Sequence, residues 1–237
     1  MKNNYKILCT ICARSGSKGL KNKNFKKMNK KPLIEYTLNQ ALKCNWFEDI
    51  IISTDKKDLK SVINIYKNNI ILRKRPKYLA SDKVGKIDVI RDCLKYAESF
   101  SGKYYDIIID LDVTCPLRKK SDIHGAINKF IKNKKTEILF SVSESRKSPY
   151  FNIVEKKNNK IQVSKKINDY IKSRQSAPKT YDINGAIYLF KRKRLLKLKN
   201  PYGEKTDLYV MPQIRSNDID EIADWKFTEY LIQNGNY

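Results

Sequence analysis

The sequence predicts an α/β fold with a mostly parallel central sheet and helices on both faces. Short apolar runs of strand length alternate with longer stretches whose apolar residues recur at i, i+3 and i+4. Strands joined by such helices pair in parallel, and right-handed crossovers then cover both faces of the sheet. In addition, a loop rich in glycine, serine and cations follows the first apolar run, at the carboxyl end of a strand. Open α/β sheets bind ligands at that end.

In chain order the predicted strands are 6–12, 49–53, 70–72, 106–111 and 138–142, and the helices between them are 32–43, 56–67, 87–99 and 121–132. Pro32 suits a helix start, where its missing N–H is no loss, and Ser121-Asp122 offers an N-cap. From Ser143 the rhythm changes. Residues 151–155 and 160–163 flank Lys156-Lys157-Asn158-Asn159 as a β-hairpin, and 165–181 is polar and irregular. A strand returns at 184–190, another follows at 207–211, and a helix closes the chain at 221–233. Residues 1–237 are therefore expected to form a single domain with an excursion around 143–181.

Composition narrows the function classes. The 237 residues carry 50 Lys and Arg against 25 Asp and Glu, a net charge of +25, with 41% hydrophobic and 11% aromatic residues. That is a globular composition. No apolar run approaches the ~20 residues of a membrane span. The lysines are scattered rather than gathered into one arm, apart from the runs 25–31 and 191–194. The expected reading is solvated surface, with no nucleic-acid partner. Met1-Lys2-Asn3-Asn4 leads straight into the first strand without room for a leader, and the five cysteines make an odd count. A reduced, cytoplasmic protein without a disulfide framework is expected. Cys9 and Cys12 match C-x-x-C, but residues three apart on a strand face opposite sides, and no second pair exists for zinc.

The loop Cys12-Ala13-Arg14-Ser15-Gly16-Ser17-Lys18-Gly19-Leu20-Lys21-Asn22-Lys23-Asn24 has the chemistry of a triphosphate site. Small residues let backbone N–H groups approach an anion, and the cations neutralise several charges at once. Its spacing is neither that of a Walker A loop nor G-x-G-x-x-G. Further along, Ser53-Thr54-Asp55 ends the second strand as a candidate N-cap. Arg75, in Arg-Pro-x-x-Leu-Ala-Ser-Asp, falls in the same crevice as the first loop. Asp110 and Asp112 end the fourth strand, where charge has to meet a wet crevice or be desolvated. Asp218-Ile219-Asp220 places two carboxylates at i and i+2, on one side of extended backbone, as a hard cation requires; the same acids would also suit capping of helix 221–233. Beside a triphosphate loop, the metal reading is favoured.

Taken together, these motifs resemble the CMP-acylneuraminate synthetase family of cytidylyltransferases over nearly the full chain. Arg14, Ser17, Lys18, Lys23 and Asn24 match the family's triphosphate and cytidine loop, Arg75 a nucleotide contact, Asn184-Gly185-Ala186-Ile187-Tyr188 its N-G-A-I-Y strand, and Asp218 and Asp220 its D-I-D magnesium pair. The resemblance implies a Rossmann-like nucleotidyltransferase fold. It further implies a homodimer whose arms (here around 143–181) reach into each other's sugar pockets, and a reaction between CTP and a nine-carbon 2-keto sugar acid. Arg14, Lys23 and Asp218 would be catalytic, Mg²⁺ (or Mn²⁺) would sit on Asp218 and Asp220, and Lys86 would join the nucleotide contacts. Asp112, Arg174, Gln175, Tyr181 and Asn184 would bind the sugar, with Tyr150 and Phe151 available for apolar contact. Departures bear on the branch. Asp112 replaces the glutamine of Q-P-T-S-P-L-R, Asp182 stands where an arginine is expected, and Lys86 takes the place of a small hydroxyl residue. These, with 11–14 and 174–179, look like the bacterial branch that makes CMP-N,N′-diacetyllegionaminic acid. N-acetylneuraminate and pseudaminate remain the alternative sugars, and Kdo or a sugar 1-phosphate would mark a different nucleotidyltransferase.

Overall fold

The computed structural model describes residues 5–16, 19–56, 70–81, 84–167, 173–235 and 237. Its main sheet contains β1 (Ile7–Cys12), β4 (Phe47–Thr54), β5 (Ile70–Lys74), β6 (Ile107–Leu111), β7 (Ile138–Glu144), β10 (Tyr181–Lys191) and β11 (Thr206–Val210). The strand order is β11-β7-β10-β6-β1-β4-β5. Every pair is parallel except those of β10, which runs antiparallel to β6 on one side and to β7 on the other. The short ribbons β2 (Lys27–Met28) with β3 (Lys31–Pro32), and β8 (Val154–Lys157) with β9 (Lys160–Val163), form two separate two-stranded sheets.

Helices cover both faces because the strands are apolar on both sides. Ile7, Cys9 and Ile11 of β1 pack into one core with α1 (Leu33–Leu42), α3 (Lys120–Lys132) and α5 (Ile222–Asn234). Leu8 packs into the other core with α2 (Lys86–Ser101) and α4 (Arg192–Lys197), and Cys12 lies against that core. Cys9 and Cys12 are thus divided between the two faces, as strand geometry requires. All five cysteines are free.

Several expectations shift in detail. The predicted helix 56–67 falls, beyond Lys56, outside the described residues. Ser121-Asp122 does not cap α3 from outside. The helix begins at Lys120 with Lys119 as N-cap, and Asp122, inside the first turn, accepts the Lys119 N–H at 2.9 Å. The hairpin is present, but its first strand runs over Val154–Lys157 rather than 151–155, and the turn is Asn158-Asn159 alone, at φ 48° and 59°, a left-handed pair that asparagine tolerates in a tight turn. Strand β10 starts at Tyr181 rather than Asn184. Its register to β7 breaks between Ile183 and Tyr188, where Gly185 takes φ 68°. There the Ser141 hydroxyl accepts the Ile187 N–H at 2.8 Å, filling in for a missing ladder bond.

Arg118 ties the carboxyl end of β6 to its neighbours from inside the core. It is 1% exposed. Its Nη1 donates to the carbonyls of Ala186 and Asp112, and its Nη2 donates to Thr37 Oγ1 at 3.2 Å and to Gln40 Oε1 at 2.9 Å. Burial pushes the guanidinium's pKa down from its ordinary value. Replacing it strands several buried acceptors. Arg118→Met is therefore expected to lower the unfolding free energy by about 3 kcal/mol in urea denaturation; a change below about 1 kcal/mol would mean that the polar network around it is dispensable.

Candidate active site

A crevice of about 380 Å³ opens at the carboxyl ends of β1, β5 and β6. Its walls bring together Arg14, Lys23, Asn24, Arg75, Lys86, Asp112, Asp218 and Asp220, all singled out in the sequence. Ser17 and Lys18, and the side chain of Arg174, lie outside the described residues. Three of the residues matched to the sugar site are not in this crevice. Gln175 is exposed in a 3-10 turn over Arg174–Ser176, and Tyr181 lines a separate cavity of about 710 Å³ with Arg146 and Tyr202. Asn184 is turned inward and is 4% exposed.

The loop after β1 is held from three directions. The backbone N–H and hydroxyl of Ser15 donate to Asp55 at 2.7 and 2.8 Å. Burial pushes the Asp55 carboxyl up, but these two bonds, together with its own backbone N–H and the Arg75 charge, leave its pKa lowered. Asp55 thus serves the loop. Asn22 turns the chain through φ 57°, and the Asn24 amide donates to the Arg14 carbonyl at 2.9 Å. Lys23 reaches across to the other end of the chain, donating to the Ile219 carbonyl and to Asp220 Oδ1, the latter at 2.9 Å. Gly19 allows this approach: a Cβ there would stand 2.3 Å from the Asp220 carbonyl oxygen. On the opposite wall, Arg75 is stapled to the end of β4 through Ser53 Oγ at 3.1 Å and the Ser53 carbonyl at 2.9 Å.

The two acids ending β6 have different fates. Asp112 lines the crevice, whereas Asp110 is fully buried and does not face a ligand. Asp110 accepts the Thr10 hydroxyl at 2.6 Å, and Lys86 Nζ lies 2.9 Å from its other oxygen. Lys86 also donates to Asp112 and sits 4.7 Å from the centroid of the Tyr188 ring. Burial disfavours the Lys86 ammonium, but Asp110 and Asp112 outweigh it and hold its pKa well above the usual value. Asp112, for its part, is pushed up by burial and pulled further down by Lys86. Sequence reasoning named Lys86 and Asp112 separately. That they form one cluster with Asp110 shows only once the start of α2 is docked against β6.

The acids Asp218 and Asp220 do not cap the last helix. Glu221 is the N-cap and Asp224 completes the capping box, its Oδ2 accepting the N–H groups of Asp220 at 3.0 Å and Glu221 at 2.8 Å. Ile219 is fully buried between the two acids, which leaves both on the opposite side of the segment. Asp218 Oδ1 is buried with no hydrogen-bond partner among the described residues. Burial, followed by the nearby Asp112 carboxylate, pushes the Asp218 pKa up to about 6. A buried, unpartnered carboxylate oxygen beside a second acid fits a hard cation. Among the described residues no group of three or more His, Cys, Asp or Glu could hold a metal alone. Two carboxylates completed by substrate phosphates and water is the arrangement usual for Mg²⁺.

The family model described as Cytidylyltransferase matches residues 8–234. The chain belongs to the cytidylyltransferase family. Among curated relatives, a Campylobacter jejuni protein named CMP-N,N′-diacetyllegionaminic acid synthase is 43% identical over 97% of this chain and 96% of its own length. The Campylobacter coli post-translational flagellin modification protein B is 40% identical over the same shares. An Escherichia coli N-acylneuraminate cytidylyltransferase is 31% identical over 98% of this chain and 53% of its own. Among solved structures, CMP:2-keto-3-deoxy-manno-octonic acid synthetase complexed with CTP superposes with a TM-score of 0.65 at 15% identity, covering 97% of this chain and 99% of that one. At that identity the likeness concerns the fold: this cytidylyltransferase has the Rossmann-like nucleotidyltransferase architecture. No helix among its described residues is long and apolar enough to cross a membrane.

The raised pKa of Asp218 has a thermodynamic consequence. Between its ordinary value of 3.8 and about 6, the folded cytidylyltransferase holds this proton more tightly than the unfolded chain. Stability from this group is therefore present at low pH and is lost as pH rises through that window. In Mg²⁺-free buffer at pH 8, Asp218→Asn should stabilise the protein by on the order of 2 kcal/mol, a gain that shrinks toward pH 4. Urea denaturation at the two pH values measures it, and an equal or negative effect at pH 8 would contradict the desolvation argument.

Proposed function

We propose that this cytidylyltransferase transfers CMP from CTP to the anomeric hydroxyl of a nine-carbon nonulosonic acid and releases pyrophosphate, with N,N′-diacetyllegionaminic acid as the sugar. The observation that carries this reading is the crevice itself, in which Lys23, from the triphosphate-type loop, meets Asp220 of the D-I-D pair at 2.9 Å. The relatives named as synthases of CMP-linked nonulosonates support the choice of sugar.

In the reaction the anomeric oxygen forms a bond to the α-phosphorus while the bond from that phosphorus to the pyrophosphate oxygen breaks. The sugar hydroxyl gives up its proton to solvent water. The protein's part is positioning and charge neutralisation. Arg14 and Lys18 are assigned to the β- and γ-phosphates, Lys23 to the charge that develops at the α-phosphate, and Ser17, Asn24, Arg75 and Lys86 to the nucleotide. Asp218 and Asp220 would hold Mg²⁺, or Mn²⁺, which when bound neutralises the departing pyrophosphate and lowers the pKa of the sugar hydroxyl. Asp112 is assigned to a sugar hydroxyl or amide N–H, and Arg174 to the sugar carboxylate, which a guanidinium can grip with two parallel bonds. Gln175 and Tyr181, which lie outside the crevice of their own chain, are assigned to the sugar pocket of a second copy, reached through the arm.

The arm around 143–181 is assigned to a homodimer. Its hairpin exposes Val154 at 59% and Ile161 at 73%, apolar surface that a second copy would cover. We place the enzyme in the cytoplasm, where CTP is made and thiols stay reduced.

The test is a substrate panel read by pyrophosphate release. CTP with N,N′-diacetyllegionaminate should give the highest kcat/KM, with N-acetylneuraminate and a pseudaminate lower by ~10- to 200-fold, the range that small apolar differences allow. Faster turnover with N-acetylneuraminate would overturn the choice of sugar, and release from UTP or GTP with a hexose 1-phosphate would overturn the reaction. Lys23→Ala should lower kcat by ~100-fold if this cation stabilises the transition state; a change of a few-fold would remove it from the mechanism. EDTA should abolish turnover, and added Mg²⁺ or Mn²⁺ should restore it.

A further inference from the structure

Asn184 belongs to the N-G-A-I-Y strand, yet its amide has no capacity left for a ligand. Oδ1 accepts the Ser141 hydroxyl at 2.6 Å and the Ala186 N–H at 3.2 Å. Nδ2 donates to Ser216 Oγ at 2.9 Å, and its other hydrogen faces the sulfur of Met211 at 3.6 Å. An amide offers two donors and two acceptor sites, so all four are engaged inside the protein. The residue is 4% exposed and does not line the crevice.

Its partner Ser216 stands two residues ahead of Asp218 and closes a tight turn by donating to the Pro212 carbonyl at 3.0 Å. The strand also meets the dyad directly: a Cβ on Gly185 would stand 3.4 Å from Asp218 Oδ2. A register break in β10 thus delivers one side chain that patches the sheet through Ser141 and, at its far end, holds the segment carrying both acids.

We propose that Asn184 is a positioning residue for the carboxylate pair, acting through Ser216, and is not a sugar contact. Asn184 fixes where the chain enters Asp218-Ile219-Asp220 and thereby sets the spacing of the two carboxylates. The inference rests on the assignment of those acids to Mg²⁺. Residues that orient metal ligands from behind commonly change metal affinity by ~10- to 100-fold when truncated.

The experiment compares Asn184→Ala, Ser216→Ala and the double variant in the full chain. Mn²⁺ binding to the enzyme with CTP is followed by water-proton relaxation, and the sugar KM is measured at saturating Mg²⁺. The expected result is Mn²⁺ affinity weakened ~10-fold in each single variant and no further in the double, because both remove one coupled contact, with the sugar KM within ~2-fold of the parent. Should Asn184→Ala fail to fold, Ser216→Ala carries the test, since it leaves the Ser141 bond and the strand register in place. A ~10-fold rise in sugar KM for Asn184→Ala, with Mn²⁺ affinity unchanged in both single variants, overturns the proposal in favour of a sugar contact. Asp218→Asn is the control. Unchanged Mn²⁺ affinity there overturns the metal assignment and the proposal with it. Affinity lost there but kept in Asn184→Ala and Ser216→Ala overturns the positioning role alone.

Discussion

The crevice depends on a contact between the two ends of the chain. The Lys23 ammonium bonds the Ile219 carbonyl and the Asp220 carboxylate across 197 residues of sequence, and the backbones at Gly19 and Asp220 come too close to admit a side chain. Neither partner is placed by its local sequence alone. Lys23 is held by the turn at Asn22 and the Asn24 bond to the Arg14 carbonyl, while Asp220 is held by buried Ile219 and by the Asp224 cap. Each side is braced by hydrogen bonds of its own. A cation and an acid presented on braced backbone lose little conformational entropy on pairing, which lets a half-exposed contact still define a site.

The handling of buried charge follows from the same need. A chain of net charge +25 could leave its cations in water, and most of the lysines among its described residues do remain exposed. The buried cations among the described residues, Lys23, Arg75 and Arg118, gather at the carboxyl edge of the sheet, where half-buried Lys86 and Arg215 join them. Lys86 is balanced by two acids of β6, and Arg118 by the carbonyls of Asp112 and Ala186 together with two side chains of α1. Arg215 is balanced by Asp122 in a two-bond pair at 2.9 and 2.8 Å. Such pairs add little net stability, since desolvation offsets most of the attraction, but breaking one is costly. Their value here is geometric: each fixes a loop that carries a crevice residue.

The fold was legible where a local pattern has one physical reading. The apolar runs of β1, β6 and β7 are buried on both sides and resemble nothing but interior strands, and the helical periods of α1, α2 and α3 match the faces they bury. The antiparallel course of β10 was not legible. Direction depends on how the chain returns after the β8–β9 hairpin, and no residue of the strand encodes that. At the site, the loop and the D-I-D pair stood out because anion and cation binding each need particular residue types at particular spacings. The Asp110–Lys86–Asp112 cluster stayed hidden, because its members are 24 and 26 residues apart and each has an ordinary separate reading as a strand-end acid or a helix-start lysine.

Asn184 shows a different limit. Its motif is visible in the sequence, and the motif does lie beside the site, so the strand is placed correctly. What the letters do not show is which way the side chain turns. That is decided by the register break between Ile183 and Tyr188, which frees a ladder position and lets Ser141 draw the amide inward. Once Oδ1 is engaged there, Nδ2 can reach only the groups on the far side, and Ser216 is the one it bonds. A motif residue can thus be tied to a site through the backbone it stabilises as well as through the ligand it touches. Counting the donors and acceptors already in use tells the two apart: a side chain with none to spare acts on the site by holding something else in place.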